Sequence, residues 1–344
     1  MQHEITSAGP LLGPDGRLLE AGFSRRHLLE YNPQNALPGL PRSLAGLRLK
    51  EWDYYGVTGK DHFFSITVSS IGYLGLVFAY LIDFRKRTFI ERNIATPFGR
   101  GISLPPTSRT GDIGFDRSGA RVSFLKKEGA RELSVFWANF HQGMDLDARL
   151  TLSEPPGRDS IVMATPISDR RFYYNEKIPA MPSRGVVTLD KQKIEFDEKD
   201  SFAVLDWGRG VWEYSTFWNW SSAGGRLPDG RTLGINIGQG FGDLSAASEN
   251  CFFLNGKMHK LGTVDWKYTS GDWLQPWTFE SGDGRARLTM TPIVDRPSSV
   301  NLLVLRSSVH QVFGRYTGTL VCDDGEVIQV PGIIGWAEEH RARW

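Results

Sequence analysis

Turn signals recur about every 8–12 residues along most of this chain, and the runs between them suit strands rather than helices. Between the breaks lie β-branched and aromatic runs: His62–Ser70, Gly75–Phe84, Leu133–Phe140, Leu146–Leu152, Ser160–Ala164, Gly185–Leu189 and Phe202–Asp206. The second half continues with Thr232–Gly238, Cys251–Leu254, Lys257–Leu261, Ala286–Met290, Asn301–Arg306, Tyr316–Cys322 and Val327–Val330. Asp229-Gly230, Asn255-Gly256, Asp283-Gly284 and Asp324-Gly325 fall between them. Asn255-Gly256 is the clearest hairpin turn, since a tight primed turn needs positive φ at both positions. No long amphipathic helix is visible, so the pattern predicts an all-β, antiparallel sandwich or barrel.

Length and an internal repeat then predict two units. The 344 residues suit a pair of domains at roughly 100–200 residues each. Ala148-Arg149-Leu150-Thr151 recurs as Ala286-Arg287-Leu288-Thr289. Gly185-Val186-Val187 is answered by Gly318-Thr319-Leu320, and Asp206-Trp207 by Gly335-Trp336. The spacing between partners shortens along the chain, as expected of a second copy with shorter loops. The predicted organisation is an irregular Gly-, Pro- and Leu-rich arm over 1–47, a first β barrel-like domain over 48–205 and a second over 206–344.

Composition removes several function classes. With 40 Lys+Arg against 39 Asp+Glu the net charge is +1, which gives no general attraction to nucleic acid or an anionic membrane. Cys251 and Cys322 are the only cysteines; they suit a reducing compartment and cannot form a four-thiolate zinc site. No two histidines sit at ligand spacing, so no metal is expected. The start, Met1-Gln2-His3-Glu4-Ile5, lacks the basic and apolar regions of a secretory leader. The longest mainly apolar run, Gly72 to Ile82, is about half of what a bilayer-spanning helix needs. The expectation is a cytoplasmic protein with no integral membrane segment; its oligomeric state is not legible.

The richest segment for chemistry is Asp206–Gly225, which holds four of the eleven tryptophans: Trp207, Trp212, Trp218 and Trp220. Trp218 and Trp220 share a strand face because side chains alternate with period two. Their apolar bodies, each with one N–H donor, suit a flat hydrophobic or sugar-like ligand. Arg209 stands between glycines, where it can reach a carboxylate or an aromatic face. The alternative is a crossover between two barrels, with tryptophans plugging the ends, and the two readings can coexist.

Gly234–Asn250 is glycine-rich, but no Gly-Lys-Ser/Thr follows and no strand–turn–helix unit is present. A nucleotide or other cofactor is therefore not expected. A Gly-x-Ser-x-Gly nucleophile elbow is also missing. Asn236, Glu249 and Asn250 lie beside apolar strands, where an unpaired carboxylate is costly. In an aromatic-lined cavity Glu249 would have a raised pKa and serve as acid or base; the plainer reading bonds it to backbone at a hairpin mouth. His310 alternates with apolar neighbours and is read as a proton-transfer residue or a hydrogen-bonded structural imidazole. Of the adjacent Glu338 and Glu339, at most one enters any barrel interior.

The pieces Lys50-Glu51-Trp52, Asp206–Trp212, Ser248-Glu249-Asn250, Val312-Phe313-Gly314 with Gly318, and Gly335-Trp336-Ala337-Glu338-Glu339 resemble the family of domain of unknown function 2804. The similarity runs over nearly the whole chain and implies no particular activity. A more distant resemblance, resting on length, all-β pattern and duplication, is to the tandem lipocalin-like fold of carotenoid 1,2-hydratase and tocopherol cyclase. It implies two tandem lipocalin-like antiparallel β barrels. It also implies a hydrophobic cavity in which a polyene or isoprenoid is protonated, hydrated or cyclised.

Three functions compete. The first is a cofactor-free enzyme acting on an isoprenoid- or lipid-like small molecule. In it, Glu249 or His310 moves protons, and Arg209, Trp212, Trp218, Trp220, Asn236 and Asn250 bind the ligand. The second is a non-catalytic lipid carrier using the same cavity. The third is a carbohydrate-active protein with stacking aromatics and paired carboxylates. An enzyme needs a buried ionisable group converging with polar partners, whereas a carrier needs only apolar lining.

Overall fold

The computed structural model describes residues 2–301 and 305–344. Nine strands of the first half are β1 Leu49–Thr58, β2 His62–Ser70, β3 Leu74–Asp83, β4 Thr88–Pro97, β5 Ala120–Lys127, β6 Ala130–His141, β7 Met144–Ser153, β8 Arg171–Leu189 and β9 Phe202–Val211. The second half supplies β10 Ser215–Arg226, β11 Thr232–Gln239, β12 Cys251–Leu254, β13 Lys257–Lys260, β14 Val264–Lys267, β15 Trp277–Ser281, β16 Ala286–Asn301, β17 Arg306–Val321 and β18 Val327–Arg343. The first sheet runs β4-β3-β2-β1-β9-β8-β7-β6-β5 before Ile113–Arg117 adds an edge. The second runs β13-β12-β11-β10-β18-β17-β16-β15-β14, the same order. The chain is two curled antiparallel sheets with one topology, as expected of tandem lipocalin-like barrels. The α-helical piece among the described residues is Arg42–Gly46, and no helix there is long and apolar enough to cross a membrane.

The repeat read from sequence reappears in the register. Leu150 of β7 faces Gly185 of β8, and Leu288 of β16 faces Gly318 of β17. Both glycines have positive φ, +145° and +130°. A Cβ would come within 2.1 Å of the Arg149 carbonyl oxygen at the first and 2.0 Å of the Arg287 carbonyl oxygen at the second. No side chain fits there, so each sheet keeps glycine at its closest backbone approach. The third sequence match behaves differently. Trp207 of β9 packs inside the first unit near His27 and Tyr31, while Trp336 of β18 faces the joint between units near Phe63 and Trp220.

The hairpin expected at Asn255-Gly256 is present, with φ of 49° and 76° and Leu254 paired to Lys257. Several strands outrun their sequence expectation. β8 passes two prolines, Pro179 and Pro182, by a register shift around Ala180, whose φ is 55°. The strand expected at Asn301–Arg306 falls at the reversal between β16 and β17. Asn301 pairs with Arg306, and Leu302 to Val304 lie outside the described residues.

Each sheet wraps a packed interior. Tyr55, Phe124, Trp137, Leu146 and Trp207 belong to the first core, and Phe252, Trp277, Phe279 and Tyr316 to the second. The arm does more than drape over the body: Ile5, Leu11, Leu12, Leu29 and Tyr31 enter the first core. Gly22–Ser24 of the arm pairs with the accessory strand Ile161–Ser168. β9 hydrogen-bonds to β1 and β8, so residue 206 lies mid-strand in the first sheet. The chain changes sheet at Trp212–Tyr214, between β9 and β10.

Candidate functional site

The outer faces of the two sheets meet through Tyr54, Phe63, Tyr80, Trp220, Phe313 and Trp336. Beside this seam lies a cavity of about 350 Å³. Both sheets contribute to its wall, and the alternation of strands explains how. Lys50, Trp52 and Tyr54 of β1 present one face to it, and Trp218 and Trp220 of β10 present another. Trp212, in the crossover, lies 5.1 Å from the Trp52 ring and 4.5 Å from Phe241. The aromatic box is therefore built where the chain passes from one sheet to the other.

Two carboxyl groups are buried in this wall, one from each equivalent strand. Asp206 of β9 accepts a hydrogen bond from Trp52 Nε1 at 3.1 Å. Burial raises its pKa to about 6; Lys177 opposes the rise and Glu249 adds to it. Glu338 of β18 accepts from Trp218 Nε1 at 3.0 Å and from Gln311 Nε2 at 3.3 Å. Burial raises it to about 7, with Trp218 and Lys177 opposing and the Asp206 charge contributing. Glu338 is further positioned by a chain across the joint, in which Tyr54 and Tyr80 hydroxyls lie 3.0 Å apart and Tyr80 donates to Gln311 Oε1 at 2.7 Å.

Lys177 of β8 stands opposite Asp206 in register. Its ammonium lies 3.1 Å from Glu249 Oε2 and 4.1 Å from the Trp220 ring centroid. Glu249 also accepts from Asn175 Nδ2 at 3.2 Å. Gly238 makes room for it, since a Cβ there would sit 1.9 Å from Glu249 Oε1. Asp206 Oδ1, Asn175 Oδ1 and Trp212 Nε1 are buried without a hydrogen-bond partner among the described residues. A ligand donor or acceptor that reached them would satisfy them. His340, on the same wall, accepts or donates to Ser307 Oγ at 2.8 Å, and burial with Arg296 nearby keeps its imidazole neutral.

The residues singled out in the sequence divide sharply. Trp212, Trp218, Trp220 and Glu249 line the cavity. Asn236 sits behind the wall, accepting from Trp220 Nε1 at 2.9 Å and donating to the Glu249 carbonyl. Asn250 accepts from the Gly238 N–H and donates to the Gly262 carbonyl, a bracing role. Arg209 points the other way, into the first unit. It is fully buried against Asp53 at 2.9 Å and the carbonyls of Trp52, Gly208 and Pro105. His310 lies off the cavity wall, bonded to Asp295 at 2.8 Å and stacked on Trp273 at 4.3 Å. Sequence reasoning passed over Lys177, Asp206 and Glu338 as site residues. The available signal was a charged residue embedded in an otherwise apolar strand, as at Asp206 after Phe202–Leu205. Among the described residues no three His, Cys, Asp or Glu side chains converge so as to hold a metal ion.

The sequence profile of a family described as Domain of unknown function (DUF2804) matches residues 2–344. No curated protein sequence matches the chain. Among solved structures, a candidate AttH from Nitrosomonas europaea is similar at TM-score 0.47 and 15% identity, covering 88% of this chain and 98% of that one. Kievitone hydratase from Nectria haematococca is similar at TM-score 0.47 and 10% identity, covering 86% of this chain and 88% of that one.

Proposed function

The chain belongs to the family of domain of unknown function 2804, and from that premise we propose that it binds a hydrophobic small molecule in the cavity between its sheets and acts on it by proton transfer. The observation that carries this reading is the pair Asp206 and Glu338, buried in an aromatic wall with pKa values raised to about 6 and about 7. Two buried carboxyls in different surroundings, Asp206 opposite Lys177 and Glu338 held by Trp218 and Gln311, can divide the acid and base roles. Glu338 is the acid: its O–H proton passes to an alkene carbon or carbonyl oxygen of the ligand. Trp218 and Trp220 face the cation that results, and Lys177 offsets the carboxylate left behind. Asp206 is the base and removes a proton from a neighbouring carbon, giving isomerisation or cyclisation, or from water, giving hydration.

A carrier role is the second reading, because the same aromatic wall holds a ligand without acting on it. The carbohydrate reading has less support, since its two carboxyls would need an open polar groove rather than this buried setting. Native mass spectrometry of the purified protein, followed by incubation with the released ligand, separates the first two. The enzyme reading expects a bound apolar molecule whose product mass or isomer accumulates with wild type and not with Glu338→Gln. Bound ligand recovered unchanged from both proteins would make this a carrier.

A further inference from the structure

Three buried cations stand on the cavity wall: Lys50, Lys177 and Arg296. Two are neutralised within the protein, Lys177 by Glu249 at 3.1 Å and Arg296 by Glu91 at 2.7 Å. Lys50 has no carboxylate partner among the described residues. The residue is 4% exposed, and its ammonium donates to the Ile71 carbonyl at 2.8 Å and lies 5.0 Å from the Tyr73 ring. An ammonium has three donors, and burying one without a counter-charge is costly. The adjacent carboxylates are committed elsewhere: Asp53 to Arg209, and Glu51 to the Tyr31 hydroxyl on the opposite strand face.

We infer that Lys50 is the anchor for an anionic head group, so that the ligand is an apolar molecule carrying one carboxylate-type anion. This rests on the cavity reading above and names the polarity of its occupant. The strand gives the dimensions. Lys50 pairs with Gly210 and Tyr54 pairs with Asp206, so the Asp206 level lies four residues from the Lys50 level, about 13 Å along the sheet. Between them on the cavity face is Trp52, stacked on Tyr173 at 5.5 Å. A ligand seated this way puts its charge at Lys50, its flat apolar body along Trp52, and its reactive part at Asp206 and Glu338. The protein thereby fixes which end of an otherwise slippery apolar molecule meets the acid.

The test uses two fluorescent probes of nearly equal shape on the full-length protein. Anilinonaphthalene sulfonate carries an anion, and N-phenyl-1-naphthylamine is its uncharged parent. Wild type is expected to prefer the sulfonate by at least about tenfold, in keeping with a desolvated charge pair. Lys50→Met, which keeps the apolar stem, should lose that preference while binding the uncharged probe as before. Lys50→Arg should restore it. A sulfonate preference that survives Lys50→Met overturns the inference, as does uncharged-probe binding to wild type with no preference; both leave the cavity reading standing. If neither probe binds wild type, the cavity reading falls as well.

Discussion

At the residue scale the account turns on Glu338. Its neighbour Glu339 faces the second unit, where the Tyr268 hydroxyl donates to it at 2.5 Å, so one residue of strand separates a cavity acid from a structural carboxylate. Because its folded pKa is raised above the ordinary value, protonated Glu338 contributes stability that is fully present below about pH 4.5 and is lost as pH rises through about 7. Glu338→Gln should remove that dependence: its stability relative to wild type should climb across this window by up to about 3 kcal/mol, read by urea unfolding at each pH. A constant offset between the two proteins would mean that the carboxyl titrates normally. Asp206→Asn should abolish turnover of the bound ligand while leaving N-phenyl-1-naphthylamine affinity within about twofold; retained turnover would remove Asp206 as base. The tryptophans and Glu249 were legible because the sequence concentrates them. Asp206 and Glu338 were not, because their chemistry comes from which face of a strand they occupy and what the opposite sheet places over them. The same reason misdirected Arg209, whose strand face is the interior one.

At the element scale the two halves share a device. Gly185 and Gly318 each lie beneath a partner carbonyl, and the Ala-Arg-Leu-Thr repeat marks the strand that carries it. Gly318→Ala should cost about 2 kcal/mol or more, by strain at positive φ and by the clash with the Arg287 carbonyl. Gly271→Ala, at an open turn, should cost about 1 kcal/mol and serves as the control in thermal denaturation. Equal losses would show that the second sheet relaxes around the new methyl group. Turn residues and alternation made most strands legible. The long bent ones were not, since Pro179, Pro182 and the shift at Ala180 read as breaks when the partner strands are unknown.

At the scale of the whole molecule, two sheets of one topology together wall a cavity. Each interior holds its own apolar cluster, and the cavity lies where two outer faces meet around Trp336, Phe313 and Trp220. Trp336→Ala should destabilise the protein by about 3–5 kcal/mol and weaken probe binding, since it opens the seam that backs the cavity. Lost stability with unchanged binding would show that the seam does not shape the site. The crossover tryptophans announced the joint in the sequence, but its contents depend on how the sheets dock, which no local pattern encodes. The most direct test of the central claim is infrared difference spectroscopy of wild type against Glu338→Gln across about pH 5 to 9. A protonated carboxyl band additional to that of Asp206, found in wild type and not in Glu338→Gln, and disappearing with a midpoint near 7, is the predicted result. A carboxylate band already present at the acidic end, with no neutral carboxyl to lose, would contradict it.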